Sequence, residues 1–481
     1  MSPSFCDPLG KRTKIVATVG PASQSRDVLR EMILAGLNVV RLNFSHGDHD
    51  DHAIVIKHVR ELSLELDTPV AILGDLRGPR IRVGEIEGDT INLAPQQKLV
   101  LTPEPVIGNT QRVSISFAGL AGDLKVGDRL LVDDGDVELR VERLEPGGDI
   151  HCSILQGGDL SSRRGINLPG IRVSLPSITE KDKQDITFAI EQGVDFLALS
   201  FVQSADDVRS LKELLAHRGA DIPVIAKIEK KGALDDIDAI IEESYGVMVA
   251  RGDLALEMSF QEVPVAQKQI IAKCRAAAVP VITATQMLES MMTETHPTRA
   301  EATDVANAVF DGTDALMLSG ETAIGRHPVE SVATMATIAA RAETAWLEHE
   351  VAELPELLPA SSIGPAIAYL SHMTARHLKV AAVVTYTQSG VTARRVCRHR
   401  PHAPILALTP QPTTRRQLTL SWGVWPVLSD EIHHVDEVSN HAIEQVRRCE
   451  LAQTGDAIVI TAGTPFGVRG NTNLLKVERV P

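Results

Sequence analysis

PVIAKIEKKGALDDIDAIIEESYGVMVARGD, residues 223–253, decides how the rest of the chain is read. An apolar run from Pro223 to Ile228 carries Lys227 and ends at Glu229. A helix-periodic, acidic segment follows from Leu234 to Glu242. A second apolar run, Gly246 to Ala250, ends in Arg251-Gly252-Asp253. Two buried strands joined by a helix make a βαβ unit, and its strands lie parallel. Glu229 and Asp253 then fall at the same end of neighbouring strands, where two carboxylates can share a divalent cation. Lys227 faces the same side as Glu229, because strand side chains alternate with period two. An ion pair at a sheet edge and a plain turn are the simpler alternatives. Ligand sites beyond the carboxyl ends of parallel strands favour an anionic substrate and its metal.

The 481 residues suit two to four domains. Hydrophobic content of 43% and charged content of 23% are ordinary for a globular protein. A net charge of −15 argues against a general nucleic-acid or anionic-membrane binder. No run approaches the ~20 apolar residues of a membrane span. The start, MSPSFCDPLGKRTK, has no apolar signal core. Cys6, Cys152, Cys274, Cys397 and Cys449 are scattered and lack metal-ligand spacing, so reduced thiols and a cytoplasmic location are expected.

Outward from the opening stretch, the same rhythm recurs. Strands are expected at Lys14–Gly20, Asn38–Phe44 and Pro69–Leu76 before it, and at Phe196–Val202, Pro280–Met287 and Ala315–Ser319 around it. With the two quoted strands these make eight βα units, an α/β fold of the (β/α)₈ TIM-barrel type. Residues 79–174 break the rhythm with short β-like runs and turn residues, and read as an inserted all-β lid after the third strand. A Pro- and Glu-containing linker follows Trp346, and α/β rhythm then returns. The domains are therefore expected at 1–78 with 175–345 (barrel), 79–174 (lid) and 346–481 (C-terminal α/β). Polar residues cluster at strand carboxyl ends: Arg41, Asn43, Asp75, Lys227, Glu229, Asp253, Thr285, Gln286 and Ser319. In a barrel that face holds the chemistry. Two loops of the last region favour a phosphorylated effector: Thr387-Gln388-Ser389-Gly390-Val391-Thr392, which opens a helical stretch, and the Gly-rich 464–473 loop with Arg469. Ordinary turns and an N-cap are the alternative for both.

The sequence resembles pyruvate kinases over nearly its whole length. The resemblance rests on RTKIVATVGPAS (12–23), NVVRLNFSHG (38–47), GDLRGPRIR (74–82), LVDDG (131–135), GINLPG (165–170), LPSITEKDKQDI (175–186), IAKIEKKGAL (225–234), VARGDLALE (249–257), ITATQMLESM (282–291) and PTRAEATDVANAVFDGTDALMLSGETA (297–323). It implies transfer of the phosphoryl group of phosphoenolpyruvate to ADP, giving pyruvate and ATP. By the same resemblance Glu229 and Asp253 hold Mg²⁺ or Mn²⁺, Lys227 stabilises the phosphoryl in flight, and Arg41 contacts it. Gly252 and Asp253, opening a helix, offer backbone N–H groups to the substrate carboxylate, and Thr285 lies where the enolate carbon is protonated, with Ser319 and Glu321 as relay candidates or helix caps. Asn43, Phe44, Ser45, His46, Arg82 and Arg164 line the nucleotide phosphates, and Asp133 or Asp134 closes over them from the lid.

The chain departs from the family pattern after the third strand. K⁺-requiring members usually carry Thr and Glu where this sequence has Leu76 and Arg80. The fixed Arg80 charge is expected to replace K⁺, although Asn43, Ser45 and Asp75 of that region remain. The effector is not identified: Val391 stands where some fructose-bisphosphate-activated members have a basic residue. A homotetramer is expected by family. The rival enzyme reading is a Mg-dependent pyruvate-type aldolase or lyase on the same barrel.

Overall fold

The computed structural model describes residues 10–350, 362–466 and 470–481. Arg469, Cys6 and the side chain of Asp134 fall outside that set. Eight parallel strands close into a barrel: β1 (Lys14–Thr18), β2 (Val39–Asn43), β3 (Ala71–Asp75), β4 (Phe196–Leu199), β5 (Val224–Ile228), β6 (Gly246–Ala250), β7 (Val281–Ala284) and β8 (Ala315–Leu318). Each pairs with its neighbours in chain order and β1 closes on β8. The eight-stranded expectation is met, with six of the strands ending one to three residues earlier than the apolar runs suggested. Alternation explains the two layers of core. Val16, Val39, Leu73, Ala198, Ile225, Met248 and Met317 fill the interior. Ile15, Val40, Ile72, Leu197, Ala226 and Val247, one position along, pack against the helices.

Local chemistry sets the helix starts. Thr179 and Thr298 begin their helices with reciprocal capping boxes to Asp182 and Glu301. Within the opening stretch the helix starts later than periodicity indicates, at Ile237, after a 3₁₀ turn over Lys231–Leu234. Asp235 and Asp236 favour a cap over a helix interior. Asp236 spends its carboxylate on the Ala205 N–H, 2.8 Å away.

Between β3 and β4 a six-stranded sheet and a two-stranded ribbon enclose their own apolar core, which includes Leu99, Leu130, Leu139 and Ile150. The last region holds a five-stranded sheet. Its edge strand, Leu474–Arg479, is antiparallel and lies outside the strands that the apolar runs predict. It is a half-exposed edge reading LLKVER, with no buried run to betray it. This region seats against the amino-terminal end of the barrel: Leu420 joins the barrel-interior cluster, and Arg394 stacks 4.4 Å over the Tyr245 ring. Cys152, Cys274 and Cys397 are buried free thiols, and Cys449 is buried. Among the described residues no helix is long and apolar enough to cross a membrane.

Candidate active site

The inward-facing positions that begin as apolar core turn polar where each strand leaves the barrel. Val39 leads to Arg41, Leu73 to Asp75, Ala198 to Ser200, and Ile225 to Lys227 and Glu229, each step two residues along one face. These side chains meet at the barrel mouth. Lys227 Nζ lies 2.9 Å from Glu229 Oε1 and 3.2 Å from Asp75 Oδ1, and donates to Ser200 Oγ at 2.7 Å. Arg41 Nε donates to Asp75 Oδ2 at 2.6 Å, and its Nη1 to Thr18 Oγ1 at 2.8 Å. Glu229 Oε2 accepts the Phe201 N–H at 2.6 Å. Asp75, Lys227 and Glu229 are all buried.

Burial of this many charges is tolerable only when they answer one another. Burial alone would lower Lys227, but Asp75 and Glu229 more than reverse that, so its ammonium is held above its ordinary value. Burial would raise Asp75; Lys227 and Arg41 bring it below the usual carboxylate range. Glu229 goes the other way. Burial, reinforced by the neighbouring Asp253 carboxylate, pushes it up against the pull of Lys227. At Lys227 two anions outweigh burial and the nearby Arg41 cation, whereas at Glu229 burial and Asp253 together outweigh Lys227, which is why the partners of one ion pair shift as they do.

Asp253 is half-exposed on the short helix Arg251–Glu257 that follows β6. The Glu229–Asp253 pair is a like-charged couple of hard oxygen donors. Among the described residues no group of three or more His, Cys, Asp or Glu side chains forms a ready metal cage. Two carboxylates with room for water and substrate oxygens match the habit of Mg²⁺, which is seldom held by an all-protein cage.

Two family models match the chain: "Pyruvate kinase, barrel domain" over residues 10–332 and "Pyruvate kinase, alpha/beta domain" over 365–478. The chain belongs to the pyruvate kinase family. It is 47% identical to pyruvate kinase 2 of Synechocystis sp. over 476 residues, 98% of this chain and 80% of that one. To the pyruvate kinase of Geobacillus stearothermophilus it is 46% identical over 470 residues, 97% and 80% of the two chains. The crystal structure of a pyruvate kinase from Cryptosporidium parvum superposes with a TM-score of 0.91 at 37% identity, covering 99% of this chain and 97% of that one. The fold is thus the pyruvate kinase fold, and the lyase alternative is set aside.

The remaining expected residues of this pyruvate kinase family member fall into three groups. Around the mouth, Arg82 is lowered by burial and by the nearby Arg77 and Arg80 charges, a basic cluster that an anion would relieve. Arg164 Nη1 pairs with the lid residue Asp133 at 3.3 Å. The Asn43 side chain holds the Ser45 N–H at 3.1 Å, and its carbonyl takes the His46 N–H at 3.1 Å. Phe44 needs correction: its side chain is buried, with its ring edge-on to His52 and Phe188. It packs beneath the Asn43–His46 turn and leaves only its backbone for a ligand.

Gly252 also needs correction. Its N–H is not open to a ligand but donates to Thr285 Oγ1 at 2.8 Å. Thr285 in turn donates to the Ala284 carbonyl at 2.6 Å. Thr285 and Gln286 both sit at positive φ, 71° and 53°, a strained arrangement that clusters at functional sites. Arg251 clamps it through the Thr285 carbonyl at 2.7 Å and Asp304 at 2.7 Å. Glu321 accepts the Ser319 and Leu288 N–H groups at 2.7 and 3.0 Å, so the capping alternative describes it.

In the last region the two suspected loops lie side by side, joined by Thr392 Oγ1 and Thr472 Oγ1 at 2.8 Å. Thr387, Gly390 and Thr392 are buried, while Gln388 and Ser389 are half-exposed. Sequence reasoning missed Ser200 and Phe201 at the mouth. Their signal was the position of Ser200, on the inward parity of β4.

Proposed function

We propose that this chain transfers the phosphoryl group of phosphoenolpyruvate to ADP at the mouth of the barrel. The observation that carries the reading is the buried Lys227 ammonium, held charged between Asp75 and Glu229 beside Arg41. Phosphoryl transfer asks the protein for little covalent work; positioning and charge stabilisation do most of it. Lys227 and Arg41 place fixed positive charge where a phosphoryl group passes between two anions. Glu229 and Asp253 would hold Mg²⁺ or Mn²⁺, which when bound neutralises phosphoryl and enolate oxygens. Thr285, pinned by Arg251, is poised to hold the proton path to the enolate carbon. Arg82 and Arg164 serve the nucleotide phosphates together with the Asn43–His46 turn, and lid closure excludes water that would otherwise hydrolyse the donor.

K⁺ is not required in this reading. Leu76 is buried, its side chain has no oxygen and its carbonyl already accepts from Ser200 Oγ at 2.7 Å; Asp75 is taken by Arg41 and Lys227, and Arg80 adds a fixed charge at the lid hinge. Control by a phosphorylated effector is assigned to the paired loops around Thr392 and Thr472, on the strength of their hydroxyl-rich contact. Family membership supports a cytoplasmic homotetramer. ATP formation from phosphoenolpyruvate and ADP by the purified chain, abolished in Lys227→Met, tests the central reading. Wild-type protein that binds both substrates without forming ATP would overturn it.

A further inference from the structure

The lid is joined to the barrel by two limbs, and the two are anchored differently. On the outgoing limb the Gly78 N–H donates to Asp182 Oδ1 at 3.1 Å. The other oxygen of Asp182 is bound into the Thr179 cap at 2.6–2.8 Å, so this hinge is fixed to a barrel helix. On the return limb the Gly170 N–H donates to Glu257 Oε2 at 3.3 Å. Gly170 sits at φ 71°, a backbone only glycine adopts freely. The Glu257 side chain is 3% exposed, and its other oxygen pairs with Lys230 Nζ at 2.5 Å. Lys230 Nζ also stands 5.8 Å from the centre of the Phe201 ring, within the range of a cation–π contact.

Both ends of this chain reach the two candidate metal carboxylates. Glu257 lies four residues after Asp253 on the helix Arg251–Glu257, one turn along the same face. Phe201 holds Glu229 through its backbone N–H at 2.6 Å, and does so at φ 57°. An aromatic residue keeps that conformation only when its surroundings over-determine it. Lys230 above the ring and Glu229 at the N–H are what hold it. A cavity of about 40 Å³ between the two limbs, lined by Arg80, Asn167, Phe201 and Lys230, leaves room for the return limb to shift.

We propose that Lys230 and Glu257 are a positioning pair that ties the return limb of the lid to Glu229 and Asp253, so that lid position and carboxylate alignment change together. Neither touches substrate in this scheme; each acts through another residue. The charge of Lys230 is the working element, since a neutral side chain would leave Glu257 buried without its counter-charge and would free Phe201.

Amide hydrogen exchange of the full chain, with no substrate or metal added, reads the latch directly. In Lys230→Met and Glu257→Gln the amides of residues 166–172 should exchange roughly tenfold faster than in wild type, as expected for a released local unit. Those of residues 224–228 should stay protected. Lys230→Arg should return exchange to near the wild-type rate. A second readout rests on the proposed function: Mn²⁺ binding should weaken several-fold in Lys230→Met, with the KM for ADP rising more than that for phosphoenolpyruvate. Unchanged exchange at 166–172 in both variants overturns the latch, whatever the activity. Should Lys230→Met unfold, Glu257→Gln decides alone. Absence of turnover in wild type would count against the proposed reaction and leave the exchange result standing.

Discussion

The two ends of the barrel both bury charged side chains, and they use them in opposite ways. At the amino-terminal end, Asp195 and Asp314 each precede a strand and reach the backbone of its neighbour: Asp195 accepts the Ile72 N–H at 2.8 Å and Asp314 the Val281 N–H at 3.1 Å. Each then receives an arginine from the C-terminal region, Arg416 at 2.6 Å and Arg400 at 3.0 Å. Arg60 adds a second cation to Asp195 at 2.9 Å, and the Trp422 N–H completes Asp314 at 3.2 Å. Asp195 and Asp314 are met by cations and hydrogen-bond donors, the Cys397 thiol among those on Asp314, and neither has a second carboxylate set against it among these contacts. At the mouth, by contrast, Glu229 is set beside Asp253, and the two repel. Buried charge alone therefore does not mark a site. Charge left partly opposed is what sets the mouth apart, and a cation from outside would settle it.

The largest effect is expected at the mouth. Lys227→Met should lower kcat by roughly 10³-fold, the scale of losing one well-placed charge-stabilising donor, with circular dichroism showing the fold retained. A loss under tenfold would make the mouth resemble the other end. There, Arg400→Met should cost about 3–5 kcal/mol of stability, as removing one partner of a buried pair does, read as a shifted urea midpoint with kcat of the folded protein within twofold. Arg416→Met should cost less, because Asp195 keeps Arg60.

Acid should loosen the same seam next. His372 is lowered to about 4 and His399 to about 3, in both cases chiefly by burial, with nearby arginines adding to it. Their rings stack at 5.8 Å. Both are held neutral in the fold, whereas the unfolded chain takes up protons at its ordinary value. Stability is then fully present above about pH 6.5 and declines as pH falls toward 4 and 3. His372→Gln should flatten that limb of a thermal-unfolding profile; an unchanged profile would show that the imidazole is not buried as described. The smallest effect is at the hinge: Arg80→Ala should lose activity that added K⁺ partly restores, while wild type runs fully in K⁺-free buffer.

Much of this was readable from residues. Period-two alternation alone places Lys227 and Glu229 on one face, and eight apolar runs specify the barrel because its strands are buried on both sides. What was not readable depends on contacts between distant segments. Asp314 and Arg400 lie 86 residues apart, and an aspartate before a strand looks like a turn residue. The repeated pattern VDFLAL (194–199) and TDALML (313–318) was the available hint. Phe44 misled because it sits within a polar motif while its own parity points to the core. The Gly252 N–H was misassigned because its partner, Thr285, comes from the next strand.

The most direct test of the central claim is a Mn²⁺ titration followed by electron paramagnetic resonance, comparing wild type with Glu229→Gln and Asp253→Asn. One tight ion per chain in wild type, weakened at least tenfold in each variant, is the predicted result. Binding of equal strength in all three proteins would contradict it, and would mean that the opposed carboxylates at the barrel mouth do not hold the cation.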